Sequence, residues 1–142
     1  MTAQCAILLV EDNDDEAELT LRAFRQAKIV NPIVRARDGV EALEILFRDT
    51  AQLPAVVLLD LRLPRLDGID VLKAIRADAR TKYVPVVLLT SSDHDRDRLS
   101  AYENHANSFV QKPVDYDEFV GVARQLGAYW TEVNKGVNSP RR

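Results

Sequence analysis

Five side chains with chemical reach stand at or just past the ends of short apolar runs. Glu11 and Asp12 follow residues 6–10, Asp60 follows 56–59, Thr90 follows 86–89, and Lys112 follows 108–110. A single aspartate at a strand end most simply caps a loop. Three carboxylates drawn together are different, because they cannot all stay ionised without compensating charge. Lys112 supplies one positive charge, and a divalent cation is the natural source of the rest. Oxygen-only donors suit Mg2+ or Mn2+, and no histidine or cysteine falls at these positions to favour zinc. Magnesium usually combines one or two carboxylates with waters and phosphate oxygens, so the set suits phosphoryl chemistry. Asp60 would be the nucleophile, with the metal, Thr90 and Lys112 stabilising the phosphoryl oxygens.

That chemistry requires the five residues to share one edge of the molecule. The apolar runs at 6–10, 33–36, 56–59, 86–89 and 108–110 read as short strands, the third buried on both faces. Between them lie helical patterns. Ala17, Leu21 and Phe24 share a face within 14–28, behind a first turn holding Asp14, Asp15 and Glu16. Val40, Leu43 and Phe47 follow Asp38-Gly39, and Ile69, Leu72 and Ile75 follow the loop closed by Pro64 and Asp67-Gly68. A weakly patterned helix spans 96–104, and a last helix spans 116–133. Strand and helix alternating in this way predict an α/β protein with a parallel sheet covered on both faces. Sites in such sheets lie outside the carboxyl ends of the strands. All five chemical residues fall there.

The chain has 142 residues, enough for one domain, with 46% apolar and 29% charged residues. A net charge of −3 gives no general attraction to nucleic acid or anionic membrane. A single cysteine, Cys5, excludes an internal disulfide framework and fits a reducing compartment. No apolar run approaches membrane-spanning length, so a cytoplasmic protein is expected. The acidic run 12–16 superficially suggests a calcium loop, but the sixth position, which needs glycine, is Ala17. His94 and His105 have no partner at metal-ligand spacing, and the charges of 93–98 nearly cancel.

The residues of the site, taken in order, resemble the receiver domain of two-component response regulators over roughly residues 6–133. The resemblance is carried by Leu8-Leu9-Val10-Glu11-Asp12-Asn13, by Leu59-Asp60-Leu61-Arg62-Leu63-Pro64 with Asp67-Gly68, by Thr90-Ser91, and by Phe109-Val110-Gln111-Lys112-Pro113. It implies a flavodoxin-like doubly wound sheet of five parallel strands in the order 2-1-3-4-5. Asp60 then matches the aspartate that takes a phosphoryl group from a histidine kinase. Asp12, Asp60 and the backbone carbonyl of Arg62 match the Mg2+ ligands, with Glu11 acting mainly through water and Mn2+ as an alternative ion. Thr90 and Ser91 match the phosphate-binding hydroxyl segment, Lys112 the lysine that pairs with the acyl phosphate, and Phe109 the aromatic switch. The bond before Pro113 is expected to be cis. Arg62 and Ser92, each two residues past a site residue, match positions that tune phosphate lifetime, without a sign being implied.

Smaller features point to a narrower group, the stand-alone response regulators partnered with bacterial phytochromes and related sensor kinases. These are Asn31-Pro32, Asp38-Gly39-Val40-Glu41-Ala42-Leu43, His105-Ala106-Asn107 and Tyr129-Trp130, with His105 standing where many receivers carry glycine. The expected organisation is a receiver over 1–134 and a polar, disordered tail over 135–142, with no output domain. Output would then be a surface. In the family the face of helix 4, strand 5 and helix 5 commonly pairs, and here Tyr102, Phe109, Val114, Phe119, Tyr129 and Trp130 are its apolar candidates, some of them core. Three functions remain open: a phospho-switch signalling by protein contact as a homodimer, a phosphorelay intermediate or phosphate sink, and a Mg2+-dependent phosphatase-like enzyme. Against the third, haloacid-dehalogenase phosphatases carry a second aspartate two residues after the nucleophile, where this chain has Arg62.

Overall fold

The computed structural model describes residues 5–48, 52–91 and 94–137. Five strands and five helices alternate: β1 (Ile7–Val10), α1 (Asp14–Gln26), β2 (Ile33–Ala36), α2 (Gly39–Arg48), β3 (Val56–Leu59), α3 (Gly68–Ala77), β4 (Val86–Thr90), α4 (Asp95–Glu103), β5 (Ser108–Gln111) and α5 (Tyr116–Ala128). All pairings are parallel and the strand order is 2-1-3-4-5. The doubly wound, flavodoxin-like arrangement is therefore as expected. Register places Val10 beside Leu59 and Thr90 beside Gln111, so the strands' carboxyl ends share one edge.

Alternation along the strands builds two cores. Leu8, Val10, Val57, Leu59, Val86 and Leu88 pack towards α2, α3 and α4. Ile7, Leu9, Val56, Leu58, Val87 and Leu89 pack towards α1 and α5. Strands buried on both faces must be apolar at every position, which is why these runs lack polar interruptions.

Two helices end earlier than their patterns suggest, for one reason. Helix α1 stops at Gln26 because Lys28 takes a left-handed φ of 64°. Lys28 N–H then donates to Arg25 O at 3.0 Å and Ile29 N–H to Phe24 O at 3.1 Å. The same closure ends α4, where His105 has φ 68°, its N–H reaches Tyr102 O at 3.0 Å, and Ala106 N–H reaches Ala101 O at 3.0 Å. Both satisfy last-turn carbonyls through a left-handed residue, a position that favours glycine. A left-handed φ at this position is one that glycine adopts without strain, and here it is taken by His105. The helix expected over 116–133 is α5 followed by a π-helical turn, Tyr129–Val133, in which Tyr129 and Trp130 stack edge to face at 4.8 Å. Of the expected tail, residues 138–142 lie outside the described residues.

Candidate functional site

Main-chain pairing carries each chemical residue just past its strand. Glu11 N–H donates to Ala36 O at 3.0 Å, Asp60 N–H to Val10 O at 3.2 Å, and Lys112 N–H to Thr90 O at 2.8 Å. These bonds extend the sheet by one residue, where the chain can turn polar without leaving the core open. One carboxylate oxygen from each of Glu11, Asp12 and Asp60 lies within 4.8 Å of the others. Glu11 is buried, Asp60 half-buried and Asp12 exposed. The Lys112 ammonium lies 2.6 Å from Glu11 Oε1 and 3.5 Å from Glu16 Oε2. The buried Thr90 hydroxyl donates to the Asp60 carboxylate, which also accepts from the main-chain N–H groups of Leu61 and Arg62.

The loop after Asp60 is shaped by close approach to Gly68. A Cβ on Gly68 would lie 2.3 Å from the Asp60 carbonyl oxygen and 2.8 Å from Leu61 Cα. Gly68 has no positive φ, so it is needed for space, not for a special turn. Its N–H donates to Leu61 O at 3.0 Å and ties the start of α3 to this loop.

Electrostatics mark the cluster as short of positive charge. Burial raises the Asp60 carboxyl above its usual range, against the pull of Lys112, Thr90 and the two N–H donors. Burial likewise raises Glu11, although Lys112 and the Asn13 N–H oppose it. Desolvation pushes the Lys112 ammonium down, but Glu11, Asp60 and Glu16 together carry it above its ordinary value. Two carboxylates held against their preference beside one ammonium form a donor set that a hard divalent cation would complete. The oxygen-only chemistry fits Mg2+ or Mn2+.

Several expectations need correction or placement. No peptide bond among the described residues is cis, so the bond before Pro113 is trans. The Lys112 side chain already reaches Glu11 from a β5 extended by its own N–H, so no cis bond is needed to aim it. Phe119 is not a surface candidate: it is only 3% exposed and packs with Phe24, Ala123 and Leu126 between α1 and α5. Trp130 is half-buried against the same core, and Phe109 is half-buried against the core on the α4 side. Tyr102, Val114 and Tyr129 are exposed, joined by Leu99, which the sequence reading did not include. Tyr102 Oη accepts the Phe109 N–H at 3.2 Å. Ser91 is exposed beside Thr90, and Ser92 lies outside the described residues.

Sequence reasoning missed three residues at this edge. Glu16 shares the Lys112 ammonium, Asp97 on α4 holds the Arg62 guanidinium at 3.1 Å, and Arg35 grips the Glu11 backbone. An arginine on a short, otherwise apolar strand was the one available signal for Arg35.

The fold and this edge define a class. Residues 7–124 match the response regulator receiver domain, and the chain belongs to that family. It is 41% identical over 132 residues to a probable methanogenesis regulatory protein, FilR2, of Methanothrix harundinacea, covering 91% of this chain and 85% of that one. It is 31% identical over 130 residues to response regulator Rcp1 of Synechocystis, covering 89% and 88%. Rcp1 has been solved with Mn2+ bound and superposes with a TM-score of 0.82 at 29% identity over 93% of this chain and 98% of that one. The phosphorylated cyanobacterial phytochrome response regulator RcpA aligns with a TM-score of 0.87 at 30% identity, over 95% and 99%. The bacteriophytochrome response regulator AtBRR aligns at 0.75 with 41% identity, over 94% and 100%. No helix among the described residues is long and apolar enough to cross a membrane.

Proposed function

We propose that this chain accepts a phosphoryl group on Asp60 from the phosphohistidine of a phytochrome-type sensor histidine kinase and signals through a protein-contact face in the cytoplasm. The observation that carries the reading is the Glu11, Asp12 and Asp60 cluster with Thr90 on Asp60 and Lys112 on Glu11. Asp12, Asp60 and the Arg62 backbone carbonyl would hold Mg2+, with Glu11 acting mainly through water. When bound, the ion supplies positive charge that neutralises the phosphoryl oxygens and lowers the cost of two anions meeting. An Asp60 carboxylate oxygen attacks phosphorus and the bond to the kinase imidazole breaks. The electron pair passes to the imidazole nitrogen, leaving an acyl phosphate. Lys112 exchanges Glu11 for a phosphoryl oxygen, and Thr90 turns its hydroxyl from the carboxylate to the phosphoryl group. Loss of Thr90 from its present place makes room for Phe109 to move inward, so that two packings of similar free energy are biased by the phosphate.

Support for the reading comes from RcpA, whose structure is of a phosphorylated form, and from Rcp1, whose structure contains Mn2+. The chain catalyses its own phosphorylation and dephosphorylation and turns over no separate substrate. The output is a homodimer through α4, β5 and α5, where Leu99, Tyr102, Val114 and Tyr129 are exposed. The test is transfer from a phosphorylated phytochrome-type kinase to wild type and to Asp60→Asn, followed by sedimentation. Label on wild type only, with a larger species, supports the whole reading. Label without association favours a relay or phosphate sink. Equal transfer from a kinase lacking a phytochrome sensor removes that partner, and label on Asp60→Asn removes the phosphoacceptor.

A further inference from the structure

The main-chain carbonyl of Glu11 accepts two hydrogen bonds from one guanidinium, from Arg35 Nε at 3.0 Å and Nη2 at 2.9 Å. Arg35 lies on β2 next to Ala36, whose own carbonyl takes the Glu11 N–H at 3.0 Å. Both backbone groups of Glu11 are therefore tied to one strand. The remaining guanidinium nitrogen, Nη1, donates to Asp14 Oδ1 at 2.8 Å, and Arg37 Nη1 meets the same oxygen at 2.9 Å. Asp14 opens α1, so this network joins β2, the end of β1 and the first turn of α1. The Arg35 side chain is only 17% exposed, whereas those of Asp14 and Arg37 are 73% and 64% exposed, so the fork on Glu11 is the sheltered part of the network.

The consequence falls on Asp12. A peptide unit is planar, so holding the Glu11 carbonyl fixes the N–H and Cα of the next residue as well. Asp12 is exposed, with a carboxylate oxygen within 4.8 Å of those of Glu11 and Asp60. The Glu11 side chain is separately held by Lys112 and by the Asn13 N–H at 3.1 Å. We propose that Arg35 is a positioning residue for the divalent-cation site, its fork on the Glu11 carbonyl setting the direction in which Asp12 presents its carboxylate. The inference rests on the reading of Glu11, Asp12 and Asp60 as that site.

Charge and position predict opposite signs, which makes the idea sharp. Arg35 is a cation beside a cation site, so on charge alone its removal would tighten metal binding. If it acts by positioning, removal weakens binding. Lysine at this position keeps the charge but lacks the planar fork.

The experiment is a Mn2+ titration of the full chain without any phosphoryl donor, reading free Mn2+ by electron paramagnetic resonance. Wild type, Arg35→Gln and Arg35→Lys are compared, each with a urea unfolding curve. Both variants should bind Mn2+ about tenfold more weakly than wild type, the scale on which groups supporting metal ligands act. Tighter or unchanged binding by folded Arg35→Gln would overturn the proposal, as would a lowered urea midpoint with an unchanged Kd. If Arg35→Gln does not fold, Arg35→Lys decides by the same criterion. Absence of Mn2+ binding by wild type would overturn the metal site and this proposal together, whereas binding by wild type with unaltered variants removes only Arg35.

Discussion

The ammonium of Lys112 lies 2.6 Å from Glu11 Oε1, across 101 positions of sequence, with side chains only 9% and 2% exposed. Removing one member of such a pair leaves a buried charge without its counter-charge. Lys112→Met should therefore lower unfolding free energy at pH 7 by about 3 kcal/mol, read from urea midpoints. Adding Glu11→Gln should recover part of that loss. A single variant as stable as wild type would contradict the pair's role.

Asp60 is held in the opposite sense. Burial raises its folded pKa above the unfolded value, so protonation favours the folded chain, and ionisation at neutral pH costs stability. That cost is absent below the unfolded pKa and fully present above the folded one. Asp60→Asn should thus be more stable than wild type at pH 7, with the difference fading as pH falls through the folded pKa towards the unfolded one. A gain that grows on acidification would contradict the sign. Millimolar Mg2+ should narrow the difference at pH 7 by stabilising wild type, since a ligand that prefers the folded state adds to its stability.

Gly68 approaches the Asp60 carbonyl too closely for any side chain. Gly68→Ala must move the backbone that carries Asp60 and Leu61, because neither contact is the end of a flexible chain. The expected outcome is a loss of about 2 kcal/mol in stability, in the range for overpacking, together with slower phosphorylation by acetyl phosphate. Normal phosphorylation in Gly68→Ala would show that the loop position does not matter.

Arg62 reaches from the Asp60 loop to Asp97 on α4 at 3.1 Å. The pair ties the loop after Asp60 to α4 beside the phosphoacceptor position. Arg62→Ala should shorten the lifetime of the Asp60 phosphate by about two- to threefold, through easier access of water. An unchanged decay rate would remove Arg62 from lifetime control.

His105 closes α4 with φ 68°, a conformation that costs a side chain about 1 kcal/mol or more. His105→Gly should raise the unfolding free energy by about 1 kcal/mol, read as a higher urea midpoint, with the carbonyl at this position still available to Arg76 Nε, now 3.0 Å away. A destabilised variant would contradict this origin for the strain.

Much of this was legible because doubly buried strands leave a strong mark. Runs such as 56–59 and 86–89 are apolar throughout, and the residues that follow them, Asp60 and Thr90, stand at the candidate site. Parallel pairing then placed Glu11, Asp12, Asp60, Thr90 and Lys112 at one edge. What stayed hidden depends on atoms brought together from distant positions. Neither the fork of Arg35 on Glu11 nor the reach of Arg62 to Asp97 follows from local pattern. Lys28 and His105 ended their helices by a left-handed turn that their residue types do not announce. Phe119 was legible in principle, since Phe119, Ala123 and Leu126 repeat at helical spacing and mark the buried stripe of α5. The trans bond before Pro113 departs from the family expectation and had no local sign.

Phosphorylation of Asp60 is tested most directly by intact mass after incubation of the full chain with acetyl phosphate and Mg2+, on wild type and Asp60→Asn. Wild type alone should gain one phosphoryl group, stable in acid, released in mild base and abolished by chelating the metal. The same adduct on Asp60→Asn, or none on wild type with either acetyl phosphate or a phosphorylated kinase as donor, would contradict it.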